Sequence, residues 1–119
     1  MNGMKEGKKT FVNETGKDLH ITMFIRSGGS PTDEGGTETI FVGASAPPAE
    51  VIYEGYPGAE GYVFLNGLLI EWAEGSDSVG VSRKVGQRGD AWDNTLNTND
   101  TVIISAVAAG TLNASGTNS

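Results

Sequence analysis

The densest group of potential metal ligands is the stretch GDAWDNTLNTND, which contains Asp90, Asp93 and Asp100 together with three asparagines. Calcium takes six to eight oxygen ligands from carboxylates, amides and carbonyls. The spacing differs from that of an EF-hand loop, in which ligands alternate and the last one is a glutamate. Aspartate and asparagine are equally favoured as helix caps and in turns, where they bond to local backbone. The stretch therefore supports either local capping or a calcium site, and calcium is the one cofactor the sequence suggests.

A second group with binding chemistry consists of aromatic side chains near glutamates. Tyr53, Tyr56 and Tyr62 are close in sequence to Glu54, and Trp72 follows them. Aromatic faces can stack on the apolar side of a sugar while carboxylates bind its hydroxyl groups. Aromatic residues at strand spacing are also common in protein cores. The three tyrosines are therefore candidates for carbohydrate binding, with a place in the core as the alternative.

Catalytic chemistry has little support in this sequence. His20 is the only histidine, and cysteine is absent. A serine triad would require His20, but there is no G-x-S-x-G turn to present the nucleophile. One histidine without cysteine also makes a zinc site a poor expectation. We therefore expect a protein that is not an enzyme.

The charge balance narrows the classes of partner. The 119 residues include 15 acids and 8 bases, for a net charge of -7. This argues against nucleic acid, which is bound through basic patches. Between Arg26 and Arg83 there are nine acids and no lysine or arginine. Such a segment either keeps the protein soluble or attracts a cation or a basic partner.

The elements that position these groups are predicted to be strands. In the segment 18–26, strict alternation places Leu19, Ile21, Met23 and Ile25 on one side. Further short strands are predicted at 11–12, 37–42, 50–54, 62–73 with a turn inside it, 79–85 and 100–107. Asp90 can cap a short helical turn in which Trp92 meets Leu96. The pattern predicts an all-β protein, a single antiparallel β-sandwich of about seven or eight short strands with one short helical turn near 90–96.

The strongest local signal is a hairpin predicted around Asn66-Gly67. Apolar runs on both sides of this dipeptide are typical of two strands joined by a type I′ turn. Both faces of such a hairpin would be apolar near its tip, whereas a sandwich strand needs only one apolar face. The second face would then contact a covering loop, another subunit or a ligand. The predicted association surface consists of Phe64, Leu65, Leu68, Leu69 and Trp72.

The ends of the chain have a different composition. Residues 1–9 form a basic segment and residues 108–119 a small, polar one, so we expect both to be flexible and 10–107 to be the folded domain. The basic start is not followed by the apolar run of a signal peptide, which makes the cytoplasm the default location. No apolar run is long enough to cross a bilayer, so no transmembrane segment is expected.

These observations favour a non-enzymatic, acidic interaction or assembly protein. We expect it to bind itself, as a closed oligomer or a filament, or to bind a protein partner. The alternative is a ligand-binding module for carbohydrate or calcium.

Overall fold

The computed structural model of the protein describes residues 4–58 and 61–118. Within these ranges, the strands are β1 Lys5–Asn13, β2 Leu19–Arg26, β3 Glu34–Val42, β4 Ala49–Gly55, β5 Leu65–Glu74, β6 Asp77–Lys84, β7 Thr101–Ala108 and β8 Thr111–Thr117. The helix α1, Ala91–Asn97, lies between β6 and β7. The predicted strand number and the short helix near 90–96 are confirmed.

The strands form two sheets of four that pack face to face. The first sheet has the order β4-β1-β7-β8 and the second has the order β3-β2-β5-β6. The all-β sandwich is therefore confirmed. One pair departs from the antiparallel prediction, because β1 and β7 run parallel with Phe11 opposite Val102. These two strands are separated by most of the chain, so no tight turn dictates their relative direction.

Alternating apolar residues produce the core between the sheets. Leu19, Ile21 and Met23 of β2 are fully buried, as their spacing predicts. They share the core with inward side chains of the other strands, including Phe11, Leu68, Ile70, Trp72, Val102 and Ile104. Burial of each large apolar side chain contributes roughly 1.5–3 kcal/mol.

The hairpin predicted at Asn66-Gly67 is wrong. Both residues lie inside β5, which pairs with β2 on one side and with β6 on the other. The turn comes later, where Glu74 pairs with Asp77 across two intervening residues. The first of these, Gly75, has a φ of 63°. Two-residue hairpin turns require this left-handed conformation, which glycine adopts readily.

Asn66 has a buried polar role. It lies where the register between β2 and β5 shifts by one residue, as the extra residue of a β-bulge. Its side chain accepts a hydrogen bond from Arg26 Nε at 3.0 Å and donates one to the Pro31 carbonyl at 2.8 Å. Asn66 therefore serves as a partner for a buried arginine.

Gly67 has a packing role in the strand. A Cβ atom at this position would lie 2.6 Å from the Arg83 carbonyl oxygen and 2.8 Å from Lys84 Cα. The backbone of β6 can approach β5 here because the side chain is absent. The Asn-Gly signal thus marks a bulge and a close approach of two strands.

The segments 1–9 and 108–119 also differ from the prediction, because their described residues contain strand. Residues 5–9 belong to β1 and pair with β4, and β8 pairs with β7. Leu112 is buried, so the polar-looking β8 still contributes to the core. Main-chain pairing with β7 orders a segment whose composition is typical of a flexible tail. Residues 1–3 and 119 lie outside the described residues.

Candidate functional site

Three of the five side chains predicted to form an association surface belong to the core. Leu65, Leu68 and Trp72 are at most 2% exposed. Phe64 precedes β5 and is half-buried. Leu69 is also half-buried, but the alternation of β5 turns it away from the core. In place of a hairpin with two apolar faces, the structure has the strand β5, and Leu69 lies on the side of β5 that faces away from the core.

Leu69 belongs to the outward surface of the second sheet. Its row across the four strands consists of Thr39, Thr22, Leu69 and Ser82. The flanking rows consist of Phe41, His20, Glu71 and Gly80 on one side, and of Thr37, Phe24, Gly67 and Lys84 on the other. We call these twelve residues the outer face.

Two phenylalanines, Phe41 and Phe24, belong to the outer face. Phe41 is 55% exposed, and its ring centre lies 5.0 Å from that of His20. Phe24 is half-buried, and the Lys84 ammonium lies 4.6 Å from the centre of its ring. His20 is exposed, as its position opposite the apolar side of β2 predicts.

The outer face has a small and balanced charge. Its carboxylate is that of Glu71 and its ammonium that of Lys84. The opposite surface of the sandwich differs, because the outward residues of β1 and β4 surround exposed Ile52 with charges, namely Glu6, Lys8, Glu50 and Glu54. The two broad surfaces of this acidic protein are therefore electrostatically unlike.

The aspartates proposed as calcium ligands have separate roles. Asp90 is the N-cap of α1 and accepts a hydrogen bond from the Asp93 backbone N–H at 2.8 Å, which together with other backbone N–H groups lowers the pKa of Asp90. Asp93 forms an ion pair with Arg26. Asp100 accepts a hydrogen bond from Thr101 Oγ1 at 2.8 Å. Among the described residues, no three histidine, cysteine or acidic side chains gather as a metal site requires.

Asp93 lies in a polar network beneath α1. Its carboxylate accepts hydrogen bonds from Arg26 Nη2 at 2.5 Å, from Asn97 Nδ2 at 2.7 Å and from the Gly89 N–H at 2.7 Å. Burial raises the pKa of Asp93, but these hydrogen bonds and the guanidinium charge outweigh burial, so the pKa is lowered. The network fixes the helix to the second sheet and makes Asp93 a structural carboxylate.

Two of the three candidate tyrosines meet in one cleft. Tyr53 and Tyr62 line a cavity of about 380 Å³ between β1, the segment before β5 and the residues that follow α1. Asp100 lines the same cavity, so two groups considered separately in the sequence are brought together. Tyr56 is 48% exposed and is not part of this lining. We call this cavity the cleft.

Gly7 and Lys9 also line the cleft, and sequence analysis missed them. Gly7 leaves room for the end of the Tyr53 side chain, because a Cβ atom on Gly7 would lie 2.9 Å from the tyrosine hydroxyl. Lys9 is 6% exposed, and its ammonium donates to the carbonyls of Leu96, at 2.5 Å, and Asn99. Extending the alternation of Phe11 towards the N-terminus would have identified both residues as inward-facing.

Burial changes the titration of two groups in the cleft. It lowers the pKa of Lys9 to about 8, although the Asp100 charge opposes the change. It raises the pKa of Tyr53 to about 12. At neutral pH, Lys9 is therefore mostly a cationic donor, and Tyr53 is a neutral phenol that can both donate and accept.

The described part of the chain contains no helix that is long and apolar enough to cross a membrane. Comparisons with protein-family models, with curated protein sequences and with solved structures find no match to this chain.

Proposed function

We propose that the protein is a non-enzymatic interaction protein that associates with a second copy of itself through the outer face. The observation that supports this most directly is the contrast between the two broad surfaces of the sandwich. One is populated by aromatic, threonine and leucine side chains, and the other by charged residues around Ile52. The proposal retains the assembly function expected from the sequence and moves its surface from the predicted hairpin to the outer face.

The shape and side chains of the outer face suit sheet-on-sheet packing. Two sheets pack about 10 Å apart, with their facing side chains interdigitated. Phe41 would lose the most apolar surface to a partner, since it is more than half exposed. Leu69 and Phe24 are half-buried at present and would be covered completely. Burial of this apolar area provides the free energy of association.

Charge explains why a second copy is the expected occupant. A chain with a net charge of -7 repels its own copies, except where its surface is close to neutral. The outer face meets that condition, because its twelve residues contain one carboxylate, that of Glu71, and one ammonium, that of Lys84, which also lies 3.9 Å from the Glu34 carboxylate at the margin of the face. Closed dimers are built on two-fold axes, so the same patch is used on both copies.

A two-fold axis along the row of Leu69 would satisfy both the apolar and the charged groups. It would place Leu69 opposite the same residue of the second copy. Each flanking row of one copy would then lie opposite the other flanking row of the second copy. Glu71 of one copy would then approach Lys84 of the other, since β5 and β6 are adjacent strands. The arrangement buries Leu69 and the two threonines of its row at the centre and places the phenylalanines and the ion pairs in the flanking rows.

Light scattering coupled to size-exclusion chromatography tests this proposal. The wild-type chain should change from monomer to dimer as its concentration is raised. Phe41→Glu and Leu69→Glu should remain monomeric over the same range, because each would place an unpaired carboxylate in the interface. The control is Ile52→Glu on the opposite surface, where the wild-type residue is 53% exposed, close to the 55% of Phe41.

Three results would contradict the proposal. A wild-type chain that stays monomeric at all concentrations would remove it. An open-ended size distribution would instead favour a filament formed by edge-strand addition. Equal disruption by Phe41→Glu and Ile52→Glu would show that added negative charge, rather than loss of the outer face, prevents association. Circular dichroism and the melting temperature establish that each variant is folded, and Phe41→Glu decides the matter if Leu69→Glu unfolds.

A further inference from the structure

We infer that the cleft binds a neutral saccharide of one or two rings, with Tyr53, Lys9 and Tyr62 as its contacts. This site is separate from the outer face, because none of the twelve residues of that face lines the cleft. The tests of saccharide binding and of self-association are therefore independent of each other.

The Tyr53 hydroxyl is the main evidence for a ligand. The residue is 4% exposed, yet among the described residues its hydroxyl forms no hydrogen bond. In the same part of the chain no fully enclosed side-chain nitrogen or oxygen lacks a partner, so this oxygen is not fully enclosed. It lies beside Gly7, which also lines the cleft. Buried polar groups in proteins are nearly always paired. An otherwise buried phenol that opens onto a cavity is thus well placed to bind a hydroxylated ligand.

Lys9 supplies a second polar group at the base of the cleft. An ammonium has three N–H donors. Two of them are used by the carbonyls of Leu96 and Asn99, which hold the side chain in one orientation. Among the described residues the third donor has no hydrogen-bond partner, so it is available to a ligand oxygen. Because the side chain is already ordered, binding would require little further loss of conformational entropy.

Tyr62 supplies an exposed aromatic surface at the rim. It is 70% exposed, the largest exposure among the apolar and aromatic side chains of comparable size in the described ranges. A tyrosine ring combines an apolar face with a polar tip. The C–H face of a pyranose could stack on this ring while its hydroxyls point towards Tyr53 and Lys9 below.

The charges of the cleft select a neutral ligand over an ion. Lys9 and Asp100, which both line the cleft, carry opposite charges that act on each other. Glu6 and Lys8 also line it, but their side chains belong to the outward surface around Ile52. With one charge of each sign, the cleft has no net charge that would attract an ion. The volume of about 380 Å³ lies towards the lower end of the roughly 300–1,000 Å³ found for small-molecule sites. These properties together point to a small polyhydroxylated molecule.

The direct test is an NMR titration of the isotope-labelled chain with a panel of neutral mono- and disaccharides: glucose, galactose, mannose, N-acetylglucosamine, maltose and cellobiose. We expect at least one of them to shift backbone resonances around Gly7, Tyr62 and Asn99. Inorganic phosphate and calcium chloride are titrated in parallel. A response to either ion at the cleft with none to the sugars would overturn the proposal, as would no response to any sugar at tens of millimolar.

A conservative pair of variants provides the residue-level test. Tyr53→Phe removes one hydroxyl that has no partner in the described protein, so we expect unchanged stability and an affinity about tenfold lower. Tyr56→Phe is the matched control, because Tyr56 is exposed outside the cleft, and it should bind like the wild type. Equal affinities for Tyr53→Phe and the wild type would contradict the proposed role of Tyr53. Tyr62→Ala should reduce binding further, and unchanged binding in this variant would exclude stacking.

Discussion

Arg26 Nη2 lies 2.5 Å from Asp93 Oδ1, and this ion pair joins β2 to α1 where both side chains are at least nine-tenths buried. The guanidinium is also hydrogen-bonded to Asn66 Oδ1, and the carboxylate to Asn97. A buried charge without its partner is strongly unfavourable. The position of α1, whose last residue Asn97 lines the cleft, therefore depends on a pair of opposite charges.

Loss of Asp93 should destabilise the fold strongly. Asp93→Ala leaves the Arg26 guanidinium buried without its carboxylate, for which we expect a decrease of about 3–5 kcal/mol in the free energy of unfolding. Urea denaturation followed by tryptophan fluorescence measures this, since Trp92 lies in α1. The double variant Arg26→Met, Asp93→Ala should lose less than the sum of the two single losses. Additive losses would show that the pair is not coupled.

As the pH is raised from about 8 to about 12, the free energy of unfolding should first rise and then fall. Lys9 has a pKa of about 8 in the folded protein and the ordinary lysine pKa of 10.5 in the unfolded chain, so between these values the unfolded chain holds more protons. Stability therefore increases by about 3 kcal/mol as the pH rises through this window. Tyr53 has the opposite effect. Its pKa is raised from 10.0 to about 12, so stability falls by a similar amount between these values.

Two variants separate these contributions. Lys9→Met should abolish the rise above pH 8, and Tyr53→Phe should abolish the fall above pH 10. Chemical denaturation at closely spaced pH values measures both slopes. A Lys9→Met variant that retains the wild-type slope between pH 8 and 10 would assign the rise to another group.

Gly67→Ala should be destabilising although the position lies in a strand. Its φ of 152° is strained for other residues, and the added methyl group would press against the Arg83 carbonyl. We expect a loss of about 2 kcal/mol. Gly36→Ala in β3 is the control, because a Cβ atom there meets nothing within 4 Å. If the two variants lost the same stability in urea denaturation, close approach of β5 and β6 would not be the reason for Gly67.

The proposed two-fold arrangement predicts a charge-reversal rescue. Glu71→Lys alone should weaken the dimer severalfold at low ionic strength, because two lysines would face each other across the interface. Adding Lys84→Glu should restore much of the affinity. Sedimentation equilibrium at low and high salt would measure both changes, and salt should reduce them. A double variant that dimerises no better than the single variant would exclude this arrangement.

The fold was predictable because its core follows a simple rule. The alternation of Leu19, Ile21 and Met23 specifies one buried face, and Asp90 marks the start of α1 through local chemistry. Both signals depend on neighbouring residues, which the sequence displays directly. The parallel contact of β1 with β7 depends on residues far apart in the chain, and no local pattern encodes it.

The sites were less predictable, because one residue type can have several roles. Asn66 and Gly67 resemble a turn, but a buried arginine and a neighbouring strand explain them. Tyr53 and Tyr62 are sugar-site candidates by their chemistry, and the structure places both in the lining of one cleft. The charge of Lys9 and its place near the N-terminus predict exposure, and only the three-dimensional structure shows that it is buried, bound to two carbonyls and part of the same lining.

The parallel pairing of β1 with β7 has a consequence for how the chain folds during synthesis. All strands of the second sheet lie within residues 19–84, so that sheet can assemble early. β1 is made before the strands of the second sheet, whereas its partner β7 is made after all of them. Phe11 and Val102 are about 90 positions apart, and closing so long a loop is slow. Until β7 and β8 are made, only β1 and β4 can cover the inner apolar surface of the second sheet, and during this interval a nascent chain is most exposed to aggregation and to chaperones.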